Sequence, residues 1–164
     1  EASFGAKGKH QADQSPVYWV AQRLGTGESF ECAIKPQQLM QTGFLQYLQL
    51  NEEDFEQPLS AEAFRHAWQT FVRATDTLCV YNESTGRLLE RVGATPVPDV
   101  VLKSVNVHQG SRKLHNVIRS LDLTPPTVSQ KGRAGARLAN AIAFVQYLHQ
   151  HPLAADSRSS ISSH

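Results

Sequence analysis

Sulfur is scarce in this chain: two cysteines and one methionine in 164 residues. Cys32 and Cys79 both fall in apolar, strand-like runs. That placement favours two buried free thiols in a reducing compartment over a disulfide. No Cys/His spacing resembles a zinc site, so no metal and no cofactor is expected. Apolar runs are also short. None approaches the roughly 20 residues that a bilayer span needs, and no charged segment followed by an apolar stretch marks a secretory leader. A glycine-rich phosphate loop is missing too. Gly25-Thr26-Gly27 leads into a strand, whereas cradling a phosphate requires a following helix. No Ser/His/Asp order signal stands out. Of the seven histidines, His10 and His164 lie near the ends, and His149 and His151 sit two apart at a fraying helix end, a pattern of exposure rather than of metal binding. Together these absences point to a cytoplasmic domain without a membrane segment. The start at Glu1 rather than Met reads as processing or as part of a longer protein.

What is present is enough apolar sequence for one core. Hydrophobic residues are 40% and charged residues 19% of the chain. The ends differ from the middle: residues 1–15 hold one large apolar side chain, Phe4, and residues 152–164 read as a polar, serine-rich stretch. Neither end offers enough apolar surface to offset its ordering entropy. Two disordered tails, 1–15 and 152–164, are therefore expected around a folded unit from Pro16 to His151, with no strand in the first tail.

Charge is unevenly spread although the formal net charge is only +1. Residues 26–62 carry seven acids against Lys35, a net of −6, and residues 100–150 carry seven bases against Asp122, a net of +6. Such asymmetry fits a polyanion-binding side, or two faces of one molecule that complement each other.

The periodicities give an order of elements. Val17 to Ala21 is β-branched and aromatic, Gly25 to Gly27 supplies a turn, and Phe30 to Ile34 alternates before Pro36, which predicts an antiparallel hairpin. Leu39, Met40, Phe44, Tyr47 and Leu48 recur at helical spacing, interrupted by Gly43. Asn51 to Asp54 reads as a capped short turn. Ser60 caps a firmer helix with Phe64, Ala67, Trp68 and Phe71 on one face. Strands are predicted at Thr77–Tyr81 and Val100–Val107, parallel to one another, because a helical turn through Leu88 and Leu89 separates them. Ser111 would cap a helix burying Leu114, Val117, Ile118 and Leu121. The last helix carries Leu138, Ala141, Ile142, Val145 and Leu148. The expected class is α/β: a mixed sheet opening with an antiparallel hairpin and flanked by helices.

Three stretches resemble a known family. Val17 to Ala21 continuing through Phe30 to Pro36 is similar to the second and third strands of the DEDDh exonucleases, the group of ribonuclease T and the polymerase proofreading subunits. Asp76 to Asn82 resembles that family's strand ending in His-Asn. Gly135-Ala136-Arg137-Leu138-Ala139-Asn140-Ala141 resembles its last motif, His-x-Ala-Leu-x-Asp-Ala. The resemblance covers residues 17–150 and implies a ribonuclease H-like exonuclease fold. It also implies hydrolysis of phosphodiesters by two divalent metals held on four acids, with a histidine activating water. This sequence departs from that set. The first two acids belong to a strand before the hairpin. The second-motif aspartate falls at Gly86, the last-motif histidine at Gly135 and its aspartate at Asn140, and Glu83 is three positions from the expected acid. A neutral amide does not replace a carboxylate in holding hard cations. Residues Gln22 to Cys32 with Gly132 to Gly135 also resemble an accessory region of bacterial DTW-domain tRNA-modifying proteins, none of whose own DTW residues is present.

The expectation is a degenerate exonuclease-like domain that binds nucleic acid, possible ligands being tRNA and other RNA or single strands, or binds a protein partner, including an upstream domain of the same protein. The alternatives are a divergent 3'-5' exonuclease whose first motif lies outside this sequence, and a protein-interaction module. No catalytic residue is assigned. The expected nucleic-acid contacts are Lys103, Arg112, Lys113, Arg119, Lys131, Arg133 and Arg137, cations that would release counterions on meeting a phosphate backbone. Tyr81 and Asn82 would lie at the cleft, Tyr81 stacking on a base. The small residues from Gly132 on would let phosphate approach a helix start.

Overall fold

The short apolar run from Val17 to Val20 is buried on both faces, and the architecture follows from that. A computed structural model describes residues 2–4, 15–36, 43–105 and 113–152. Strand β2 (Pro16–Gln22) pairs antiparallel with β3 (Ser29–Ala33), in register from Tyr18↔Ala33 to Gln22↔Ser29. Successive side chains of a strand point to opposite faces. Tyr18 and Val20 accordingly join one apolar cluster and Trp19 and Ala21 another.

On the first face the hairpin meets α1 (Phe44–Leu48) and α5 (Gly132–Gln150), through Phe44, Leu48, Leu138 and Ile142. On the second it meets α2 (Ala61–Phe71) and α3 (Glu83–Arg91). There Trp19, Phe64, Trp68 and Phe30 pack ring against ring, with Trp19 edge-on to Trp68 at 5.6 Å between centroids. Ser60 caps α2 as its sequence predicts, its Oγ accepting the Ala63 amide at 3.1 Å. At the end of β3, Lys35 donates its amide to the Leu59 carbonyl at 2.8 Å and ties the hairpin to the start of α2.

Beyond α2, strand β4 (Cys79–Val80) pairs in parallel with β5 (Val100–Val101), and α3 makes the crossover. A 3-10 turn, Leu102–Ser104, and α4 (Leu114–Ser120) follow. Their Leu102, Leu114, Val117 and Ile118 pack with Tyr81 against Ala141 and Phe144 of α5. Helix α5 thus closes two of the three clusters.

The mixed α/β class and the pairing of both predicted strand pairs are as the sequence indicates. Four particulars differ. The strands form two sheets, β1 (Ala2–Phe4)-β2-β3 and β4-β5, instead of one. The strand predicted from Val100 to Val107 bends into a 3-10 turn after Val101, while Asn106 and Val107 lie outside the described residues. A strand β1 (Ala2–Phe4) pairs antiparallel with β2 in the segment read as strandless, because a sheet edge supplies hydrogen-bond partners that local composition does not show. Cys79 is exposed and Cys32 half-buried, so the expectation of two buried thiols fails at Cys79; both are free. Ser111, Leu39 and Met40 lie outside the described residues. Among the described residues no helix is long and apolar enough to cross a membrane.

Candidate functional site

Where β2 leaves the hairpin, Arg23 turns back into the protein, its side chain only 11% exposed. A guanidinium so covered needs most of its donors satisfied. Nε lies 3.1 and 3.2 Å from the two oxygens of Asp76, and Nη2 lies 2.9 Å from Oδ2. Nη2 also donates to the Phe71 carbonyl, and Nη1 to Glu28. The cation stands 4.8 Å over the Phe71 ring, adding a cation–π contact. Arg73 joins from outside, 2.9 Å from Glu28. Arg23 and then the Arg73 amide hold the Asp76 carboxyl below the usual aspartate range. The hairpin tip is thereby clasped to the loop that joins α2 to β4.

Behind this clasp lies a cavity of about 480 Å3, bounded by Trp19 and Ala21 of β2, Phe71 of α2, Val80 of β4 and Leu138 and Ile142 of α5. Its lining is mainly apolar, and its charged members, Arg23 and Asp76, neutralise each other at the rim. Trp19 is 1% exposed, yet its indole N–H has no acceptor among the described residues; the Trp68 indole by contrast donates to the Pro96 carbonyl at 3.3 Å. A buried donor left unpaired costs about 1–3 kcal/mol. Gln130 Oε1 is likewise buried without a partner among the described residues, so the core carries two such polar atoms.

The start of α5 was the expected phosphate contact, and it is already occupied. Glu31 accepts the Lys131 amide at 2.8 Å, and Asp54 accepts from Lys131 Nζ at 2.9 Å. Arg133 lies over the Tyr47 ring at 4.3 Å. Glu31 also accepts from the Tyr18 hydroxyl, and burial, followed by this carboxylate, pushes the Tyr18 phenol well above its ordinary value. The Asn51 amide, then Lys131, holds the Asp54 carboxyl below its ordinary value. Two carboxylates of the acidic segment therefore take the place of a phosphate. Here the charge asymmetry is partly complementarity within the molecule.

The glycines at this helix start answer to packing. Gly132 has φ +67°, and a Cβ there would stand 2.7 Å from the Leu48 carbonyl oxygen. At Gly135 a Cβ would fall 2.1 Å from the Gln130 carbonyl oxygen. Gln130 is itself fixed, its Nε2 donating to the Ala21 carbonyl at 3.1 Å.

Of the other expected contacts, Lys103, Lys113 and Arg119 are exposed, on the 3-10 turn, at the start of α4 and within α4. Arg137 is half-buried on α5. Arg112 lies outside the described residues. Asn82 is half-buried and precedes α3. Tyr81 corrects its expectation: it is 2% exposed and meets Phe144 edge-on at 6.4 Å, so its ring is core and has no face for a base. Glu83 is exposed and paired with Arg87 at 2.8 Å. Among the described residues no group of three or more His, Cys, Asp or Glu is placed to hold a metal ion.

The acid dependence of folding follows from Asp54 and Asp76. Both carboxyls lie below the ordinary 3.8 in the folded chain, so near that pH the unfolded chain binds more protons. Their contribution is complete above about pH 5 and is lost as pH falls through 3.8 and below. A denaturant melt at pH 3 should show a lower midpoint than at pH 6, and the difference should shrink in the Asp54→Asn/Asp76→Asn double variant. An unchanged difference would remove these two pairs from the explanation.

No protein-family model matches the chain, and no curated protein matches it in sequence.

Proposed function

We propose that this chain is a non-catalytic binding domain, a degenerate relative of the exonuclease-like domains it resembles, which engages the backbone of RNA or single-stranded nucleic acid through α4 and the turn before it. The observation that carries the non-catalytic half is Gly135. This position corresponds to the last-motif histidine, and a backbone oxygen stands where any side chain would begin. Gly86, at the second-motif aspartate, is similarly confined: a Cβ there would lie 3.2 Å from Pro98 Cγ. The order of antiparallel strands, helix, and parallel strands joined by a helix is compatible with the ribonuclease H-like arrangement.

The binding half rests on the exposed cations Lys103, Lys113 and Arg119, with Lys131 and Arg133 assigned to internal contacts. Binding should be weak and sequence-tolerant, with log affinity falling against log salt by about 0.7–0.9 per phosphate contacted. Anisotropy titrations with tRNA, a single-stranded DNA and a duplex at two salt concentrations test this. The triple variant Lys103→Ala/Lys113→Ala/Arg119→Ala should lower affinity and flatten the salt slope while leaving the melt unchanged. Absence of binding to every nucleic acid at low salt would sink this reading in favour of a protein-interaction module. Magnesium-dependent turnover of an oligonucleotide would overturn the non-catalytic half.

A further inference from the structure

At the end of α5, Tyr147 and His151 stand four residues apart and so share one helix face. Their rings stack at 22° with centroids 4.4 Å apart. One other pair among the described residues lies as near to parallel, Phe64 with Trp68 at 21°, and both of those rings are sealed in the core. His151 is exposed, and Tyr147 behind it is half-buried. The imidazole is also held in place. Its Nδ1 lies 3.1 Å from the Tyr147 carbonyl oxygen, and that oxygen accepts the His151 amide at 2.9 Å. An exposed ring fixed in this way has little rotamer freedom left to lose when a ligand lands on it. Tyr47 is exposed too, but Arg133 already lies over its face.

Tyr147 packs against the apolar cluster that holds Leu102, Leu114, Val117 and Ile118. Lys103, Lys113 and Arg119 each adjoin a member of that cluster in sequence, namely Leu102, Leu114 and Ile118. The stacked rings and the exposed cations therefore border one cluster. Resting on the backbone-binding reading above, we propose that His151, backed by Tyr147, is a stacking platform for one base of a single-stranded nucleic acid whose phosphates meet these cations. Every base has a π face, so such a platform tolerates any sequence, as the cations do. It does not tolerate every structure. A duplex keeps its bases stacked on one another, and only an unpaired base can lie on His151. The platform thus adds a preference for single strands that charge alone does not give. It also takes the role expected of Tyr81, whose ring is core.

The test uses the 164-residue chain and two probes of equal charge, an oligodeoxyadenylate of about eight nucleotides and an abasic phosphodiester of the same length. At low salt the adenylate should bind about fivefold or more tighter than the abasic strand. His151→Ala should remove that difference, and His151→Phe should keep it, because the ring face is what the base uses. A fluorescent purine analogue placed in the adenylate should be quenched by the parent chain and by His151→Phe, and not by His151→Ala. The comparison of the two probes on the parent chain holds even if a variant folds poorly, and thermal melts of the variants show whether one does. If the abasic strand binds as tightly as the adenylate, or if His151→Ala keeps the preference, the platform is overturned while the backbone reading stands. If neither probe binds, the backbone reading fails and the platform falls with it.

Discussion

Gly135→Ala should destabilise the domain by about 3 kcal/mol, at the severe end of overpacking, and lower the thermal midpoint by about 6–12 °C. The sign is the informative part. In an ordinary helix interior this change is stabilising by about 0.5–1 kcal/mol. At Gly135 the new methyl would meet the Gln130 carbonyl oxygen at 2.1 Å, and that residue cannot move freely because its side chain is bonded to β2. Gly25→Ala is the control: nothing lies within 4 Å of a Cβ there, so its melt should be near that of the parent. Urea melts of the three proteins decide it. A neutral or stabilised Gly135→Ala would mean that the turn before α5 yields, and would reopen the position to a histidine. With it would go the chief argument against catalysis.

Tyr81→Ala should cost about 3–5 kcal/mol, the range for removing a large buried ring, and Tyr81→Phe should cost far less. Had Tyr81 been a stacking platform, alanine would have weakened ligand binding and left the fold alone. Its packing on Phe144 within the cluster of Leu102, Val117 and Ile118 makes the opposite assignment. Equilibrium unfolding and nucleic-acid titration on the same two variants separate the roles. Lost affinity with an unchanged melt would restore Tyr81 to the binding surface.

The hairpin, the Ser60 cap and the parallel pair were legible because each is written in neighbouring residues: alternation, a capping side chain, a helix between two short strands. The stripe of α5 was legible for the same reason. The clasp was not, since Arg23 and Asp76 stand 53 residues apart and neither has a local pattern that names the other. The basic segment misled in a specific way. Lys131 and Arg133 look available in the sequence, and only the fold brings Asp54, Glu31 and Tyr47 to them. Gly132 and Gly135 misled likewise, because a glycine that admits a phosphate and one that admits a neighbouring carbonyl are identical in sequence. Tyr81 ends a strand, and whether such a ring is capped by α5 or left open is a tertiary fact.

The bonds from Gln130 to Ala21 and from Lys131 to Glu31 span 109 and 100 residues. On a ribosome adding about 5–20 residues per second, the hairpin would be complete about 5–20 s before the helix that covers its first face has been made. Through that interval Val17, Tyr18 and Val20 have no α5 to lie against, and the nascent chain presents an apolar sheet face to whatever is near. Synthesis of this domain therefore contains a waiting period, set by the distance along the chain between a strand and its cover. Slowing translation after residue 36 should lengthen it and increase capture of the nascent chain by holdase chaperones.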